Sequence, residues 1–165
     1  MTEAAWQRLD SILDTVPDEM DEGRRETEFR WTPGDLIVLA YLDGPFLAHL
    51  NIQEREVTAG GQAVRVAGIG AVVTHPDYRC RGLASAAMRR AAALLQEEMR
   101  VDHGLLFCMR RMVAFYSRLG WLEVTGPVMT TQPAGLVRLP ATPMVLPVRR
   151  SDWPGGPIDL GGLPW

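Results

Sequence analysis

The residues best equipped for chemistry lie within positions 69–85, Ile-Gly-Ala-Val-Val-Thr-His-Pro-Asp-Tyr-Arg-Cys-Arg-Gly-Leu-Ala-Ser. The run starts as an apolar strand, breaks at Pro76, passes through a basic turn over positions 79–84 and continues at helical spacing through Leu83, Ala87, Ala91, Leu94 and Leu95. The first N–H groups of a helix have no intrahelical acceptor, and with the helix dipole they present a partial positive charge to whatever lies before them. Gly82 has no side chain to hold a bulky anion away, and the small Ala84 lets it approach the next N–H. Phosphate is the natural guest. Arg79 and Arg81 stand beside that mouth and Arg89 and Arg90 follow in the helix, so positions 78–100 hold five Arg against two Glu, a charge that suits a pyrophosphate with a further phosphate. Taken alone, the same glycine is also what the end of an ordinary loop looks like.

Composition sets the frame for this device. A chain of 165 residues is expected to fold as one domain with a sizeable core. All seventeen cations are Arg, a usage that reads as coding bias rather than chemistry, and the formal net charge of −3 argues against a nucleic-acid footprint. Acidic residues gather at the start, nine Asp or Glu against three Arg in positions 1–28; they form either a solvated helix face or an acidic lobe for a cationic acceptor. Only Cys80 and Cys108 occur, neither has a His close in sequence to activate it, and a cysteine nucleophile is not expected. No signal peptide, membrane span or metal-ligand spacing is read, so the expectation is a cytoplasmic protein with free thiols, no metal and no membrane partner.

The elements that must position the turn follow in order. Positions 3–13 place Trp6, Leu9, Ile12 and Leu13 on one helical face, and a second, polar helix is expected over 19–28. A buried strand over 35–42, a tight turn at Asp43-Gly44, a strand over 46–57, a turn at Gly60-Gly61 and a strand over 62–73 make an antiparallel meander whose last member enters the basic turn. A short apolar strand over 103–109 and a short helix from Met112, closed by Gly120, come next. Beyond Thr125 lie eight of the twelve prolines; the one clear strand candidate there is 144–148, and the apolar residues Trp153, Ile158, Leu160, Leu163 and Trp165 imply a segment packed on the sheet rather than a mobile tail.

Arg79-Cys80-Arg81-Gly82-Leu83-Ala84 after a strand rich in Val resembles the acetyl-coenzyme A signature of the GNAT superfamily of N-acetyltransferases, and Phe115-Tyr116 with Leu119-Gly120-Trp121 resembles its second motif. The resemblance implies an α/β (α+β) fold: a mixed, mostly antiparallel sheet with a splayed parallel strand pair, flanked by helices, in a single domain over 1–165 whose Pro/Gly-rich segment from about 125 packs on the sheet. It also implies acetyl-CoA as co-substrate, held through Val72, Val73 and Thr74 by the backbone and through Arg79, Cys80, Arg81, Gly82, Leu83, Ala84 and Ser85 at the phosphates. Tyr116 then matches the family's tyrosine and becomes the candidate general acid that protonates the departing sulfur; without the resemblance it reads as an aromatic wedge between helix and sheet. Glu54, Glu56 and His75 are the nearest candidates for a general base, and none is assigned.

Positions 35–165 look most like the aminoglycoside 2'-N-acetyltransferase branch, through Ala48-His49, the run 70–84, Leu119-Gly120-Trp121, Val145-Leu146-Pro147 and the Trp at 165. In that branch acidic groups and a terminal Trp carboxylate bind ammonium groups of the drug, which here points to Asp159 and Trp165. The chain departs from the pattern at Leu163, where an Asp is expected, and at Gly70, where a Glu is expected. The implied reaction is direct acetyl transfer to a primary amine of a small molecule, such as an aminoglycoside. A peptide N-terminus or lysine, a longer acyl donor, and a CoA-binding domain without turnover remain open, as does a homodimer.

Overall fold

The computed structural model describes Gln7, residues 29–41 and residues 46–165. The helices expected over 3–13 and 19–28 and the turn at Asp43-Gly44 lie outside the described residues, apart from Gln7, which is helical. The meander is β1 (Leu36–Tyr41), β2 (Phe46–Ala59) and β3 (Gln62–Thr74), all antiparallel. The expected bounds hold within a residue or two. A 3-10 turn over Pro76–Tyr78 leads to helix α1 (Leu83–Glu97), then β4 (His103–Cys108), a 3-10 turn at Arg110–Met112, and the short helix α2 (Val113–Ser117).

The proline-rich segment holds more sheet than its sequence shows. After β5 (Leu122–Glu123) it forms the hairpin β6 (Val128–Gln132) with β7 (Gly135–Leu139), β8 (Thr142–Pro147) and β9 (Ile158–Asp159). Among the described residues these strands join one mixed sheet in the order β5-β8-β4-β3-β2-β9-β6-β7, with β1 on the same edge of β2 as β9. Parallel pairs are β3–β4 and β6–β9.

Two hydrophobic clusters cover the two faces. On one, Ala87, Met88, Ala91 and Leu95 of α1 pack on Leu50, Ile52, Ala67, Ile69 and Leu106, with Tyr116 and Trp121 beside them. This is the apolar stripe that the helical spacing predicts. The other cluster joins Val57, Val64, Val66, Leu105 and Val145 to Val128, Leu139, Ile158, Leu160 and Trp165. It links β4 and β8 to β6 and β7, which stand at opposite ends of the strand order, so the sheet must curl around it. Strands β6 to β9 of the segment beyond 125 are thus members of the sheet, and their residues share this cluster.

Candidate active site

The parallel pair β3–β4 is held by only four register positions, Val66↔His103 to Ile69↔Leu106. β3 runs on to Thr74 and β4 to Cys108 without facing each other. The cause is a bulge in β3. Leu50 of β2 stands opposite two residues, Ala71 and Val72, because the register passes from Asn51↔Gly70 to His49↔Val73. Ala71 takes φ 48°, the left-handed region that a non-glycine residue enters only under constraint. A bulge turns its strand, and here it turns β3 away from β4. Backbone groups along 70–74 and 107–108 thus face a gap rather than a strand, a costly arrangement unless another extended molecule pairs with them.

The gap opens onto the basic turn. His75 Nδ1 accepts the Asp77 N–H at 3.3 Å, and the Arg79 Nε–H donates to the Thr74 carbonyl at 3.3 Å. The Arg81 guanidinium lies over the Tyr78 ring at 4.9 Å. Gly82 is the N-cap of α1 at φ 83°, with no side-chain cap on the helix and no heavy atom within 4 Å of where a Cβ would stand. The first-turn N–H groups of α1, those of Leu83, Ala84 and Ser85, are left pointing outward. Cys80, Arg79, Arg81 and Gly82 are exposed, while Val72, Val73, Thr74, Leu83, Ala84 and Ser85 are half-buried. A concave run of N–H groups with cations beside it has the chemistry of a phosphate seat.

Tyr116 comes to the same end of the sheet from the opposite strand. Leu119 and Trp121 both donate their N–H to its carbonyl, at 2.9 and 3.2 Å, and Gly120 at φ 89° lets the chain leave the helix. Its ring is buried edge-on to Phe115, in the cluster that holds Cys108 at the end of β4. Burial, reinforced by Cys108, pushes the phenol well above its usual range. Burial, then Glu123, pushes the Cys108 thiol up to about 11, and its Sγ–H donates to Met144 Sδ at 3.7 Å. Both are protonated at neutral pH. Of the groups considered as a base, Glu54 is held by Arg65 at 2.5 Å, Glu56 is exposed and His75 is engaged in its own turn.

The other two expected positions are separate from each other. Asp159 pairs with Thr58 at the far end of β2, seven residues from Asn51, about 23 Å along the strand. Its Oδ1 accepts the Gly161 N–H at 2.9 Å. Trp165 instead lies on the face opposite α1, over β3. A Cβ at Gly68 would stand 2.1 Å from its Cε2, and one at Gly70 would stand 2.8 Å from its backbone C and O. The glycine at 70 therefore has a packing reason, and a glutamate side chain has no room there. The Arg55 guanidinium lies over the Trp165 ring at 5.5 Å and donates from Nη1 to the Leu163 carbonyl at 2.6 Å.

Sequence reasoning missed the row His49, Asn51, Gln53 and Arg55 on β2. Alternating with Leu50 and Ile52, it reads as a solvated face. His49 and Gln53 are nonetheless buried, and the Asn51 and Gln53 side-chain oxygens are buried without partners. The available signal was the pair of strand glycines at 68 and 70, which stand opposite Gln53 and Asn51 and mark a close approach from above.

Comparison with known proteins agrees with this geometry. A family model described as the acetyltransferase (GNAT) domain matches residues 1–124. An aminoglycoside 2'-N-acetyltransferase of Mycolicibacterium fortuitum is 32% identical over 97 residues, 59% of this chain and 49% of that protein, so the chain spans about half the length of this curated relative. A GNAT family acetyltransferase from Brucella melitensis, solved in complex with acetyl-CoA, superposes with a TM-score of 0.52 at 18% identity, over 86% of this chain and 70% of that one. The ribosomal-protein-S18-alanine N-acetyltransferase from Escherichia coli does so with a TM-score of 0.52 at 21% identity, over 82% and 89%. At such identities the two structures speak for the fold. A bulged strand opening a parallel pair onto an uncapped helix, together with the match over residues 1–124, shows that the chain belongs to the GNAT acetyltransferase family.

Proposed function

We propose that the protein is an acetyl-CoA-dependent N-acetyltransferase acting directly on a primary amine of a small molecule. The observation that carries this reading is the gap between β3 and β4, which opens at the bulge and ends at the bare start of α1. The backbone of Val72, Val73 and Thr74 would hold the pantetheine arm as an added strand. The N–H groups of Leu83, Ala84 and Ser85 would take the pyrophosphate, with Gly82 giving it room, Arg79 and Arg81 supplying charge, and Cys80 and its neighbours shaping the turn. The fit is supported by the open space over Gly82. When bound, acetyl-CoA supplies an activated acyl carbon and a thiolate leaving group. Tyr116 sits beside the gap and burial keeps it protonated at neutral pH, so it has a proton to give to the sulfur, while the same burial makes it a weaker acid than a free phenol.

The acceptor is narrowed by the 32% identical relative, whose name makes an aminoglycoside the first to try. Trp165 stands over Gly68 and Gly70 on the face opposite α1, where it would wall an acceptor cleft; Asp159, in β9 beside the far end of β2, would act only on a long acceptor. The deciding assay is acetyl-CoA-dependent thiol release with two aminoglycosides that differ only in an amine or a hydroxyl at the 2' position, run beside ethanolamine, spermidine and short peptides. Release with the 2'-amine alone supports the narrow reading. Release only with another amine keeps the enzyme and retires the aminoglycoside. Tyr116→Phe should keep acetyl-CoA affinity and lose about 10²-fold or more in kcat; a loss of only a few-fold removes Tyr116 from the acid role.

A further inference from the structure

One buried imidazole has no task in the reading above. His49 is 4% exposed and stands opposite Val73 of β3, level with the bulge that opens the gap. Its Nδ1–H donates to the Ala71 carbonyl at 3.0 Å, and Ala71 is the residue that the bulge forces to φ 48°. A carbonyl only accepts, so this bond fixes the proton on Nδ1 and leaves the lone pair on Nε2. Burial lowers the pKa of the ring, with the Ala71 carbonyl pulling the other way and no charged group contributing. The residues beside it are Leu39 on β1, Val73 on β3 and, along the same face of β2, Leu47 and Asn51, none of them ionisable; past Asn51 on that face lies the main-chain carboxyl of Trp165, over Gly70. The ring is thus a neutral, oriented base at pH 7.

We propose that His49 Nε2 is the general base that takes the proton from the acceptor's ammonium group, directly or through one water. This rests on the acetyltransferase reading. It answers a need that the side chains considered above leave open, because Glu54 is tied to Arg65 and a glutamate side chain at position 70 would run into Asn51 and the Trp165 main-chain carboxyl. Asn51, two residues further on the same face, keeps its Oδ1 buried without a partner and offers a second acceptor for the same ammonium. The ammonium gives one proton to Nε2, and the freed lone pair forms the C–N bond to the thioester carbon as the C–S bond breaks. Tyr116 gives its proton to the departing sulfur and regains one from the second N–H of the new amide nitrogen. The imidazolium then releases its proton to solvent, so amine cation and thioester become amide, thiol and one proton.

The test uses His49→Asn, whose amide N–H occupies the place of Nδ1 and keeps the bond to Ala71 while Nε2 is lost. The kcat/KM for thiol release is followed from pH 6 to 9.5 with whichever of the 2'-amino aminoglycoside, ethanolamine or spermidine the wild type turns over. The variant should lose about 10²–10⁴-fold near pH 6.5, with KM for acetyl-CoA unchanged, and the deficit should shrink as pH nears the acceptor's own pKa, where the amine needs no base. In parallel, ¹⁵N imidazole spectra of the wild-type protein alone should show His49 neutral at pH 7 as the Nδ1–H tautomer. A loss of a few-fold that does not vary with pH overturns the assignment, and so does an Nε2–H or charged ring. An active wild type with an unaltered profile in the variant sinks this assignment alone, whereas a wild type silent with every probe sinks the acetyltransferase reading and this assignment with it.

Discussion

Alanine in place of Gly68 tests the packing that closes the second face of the sheet. Its Cβ would stand 2.1 Å from Trp165 Cε2 and 2.4 Å from both Cδ2 and Nε1, more than an ångström inside ordinary carbon contact. Those atoms belong to a rigid ring rather than to the end of a flexible chain. The indole is 4% exposed, packs on Phe107 at 5.3 Å and lies under the Arg55 guanidinium, so it has no free direction to move within the face. Overpacking costs about 1–3 kcal/mol and complete loss of a buried Trp about 3–5 kcal/mol. Gly68→Ala is expected near ~3 kcal/mol, a fall in Tm of about 6–12 °C for a chain of this size. The backbone at 68 needs no glycine conformation, since its φ is not among the positive ones. In a Trp165→Ala background the same substitution should therefore be neutral, or stabilising by about 0.4–1 kcal/mol through the unfolded chain. Urea and thermal melts of the four proteins close the cycle. A cost below about 0.5 kcal/mol in the wild type, or the same cost in both backgrounds, refutes the reasoning.

Three further outcomes follow from the same structure. Gly82→Ala adds a Cβ at φ 83° where nothing lies within 4 Å, so it should cost only about 1–2 kcal/mol in stability while weakening acetyl-CoA binding measured by calorimetry at least tenfold; equal affinity would show that no ligand approaches there. With a maleimide at pH 7.5, exposed Cys80 should react quickly and buried Cys108, its thiol pushed up to about 11, slowly. Saturating acetyl-CoA should protect Cys80, and unchanged labelling would place the phosphates elsewhere. Burial lowers the pKa of His49 and of His103, the latter against the opposing pull of Asp102. The unfolded chain then takes up these protons below about 6.5 while the folded chain resists them, so stability present above that pH is lost as pH falls, by up to about 1.4 kcal/mol per pH unit for each ring. His103→Phe should flatten that acid limb in Tm measured from pH 7.5 to 5; a limb of unchanged slope would assign it to other groups.

The strand-turn-helix device and its bounds were legible because each part is local: Val-rich strand, Pro76, Gly82 and the spaced apolar residues of α1 lie within thirty positions. The short helix that carries Tyr116 and its close at Gly120 were legible for the same reason, whereas the acid role of Tyr116 came from the resemblance and not from the residues alone. The hairpin β6–β7 was not. Its inward residues include Thr130 and Gln132, both buried, so the apolar alternation that announces a strand is missing. The reason they are polar lies far off in sequence. The Gln132 side chain accepts the Arg30 N–H at 2.8 Å and donates to the Arg30 carbonyl at 3.1 Å, and Thr130 Oγ1–H donates to the Gly162 carbonyl at 2.7 Å. His49 was passed over on the same grounds, since its task depends on a bulge in the neighbouring strand. Gly70 was read as a missing carboxylate, and the structure adds why the position is small: it is the floor under Trp165.

The contact between Gly68 and Trp165 also sets an order of events. The meander, α1 and β4 are assembled from near neighbours in sequence, and their face can condense early. The opposite face waits for residues 158–165, because Ile158 must find Ala59 and Trp165 must find Gly68, about a hundred positions back. Loop closure over such distances is slow relative to local pairing. Until residues 158–165 dock, Val64, Val66 and Leu105 lack the partners that cover them in the folded chain.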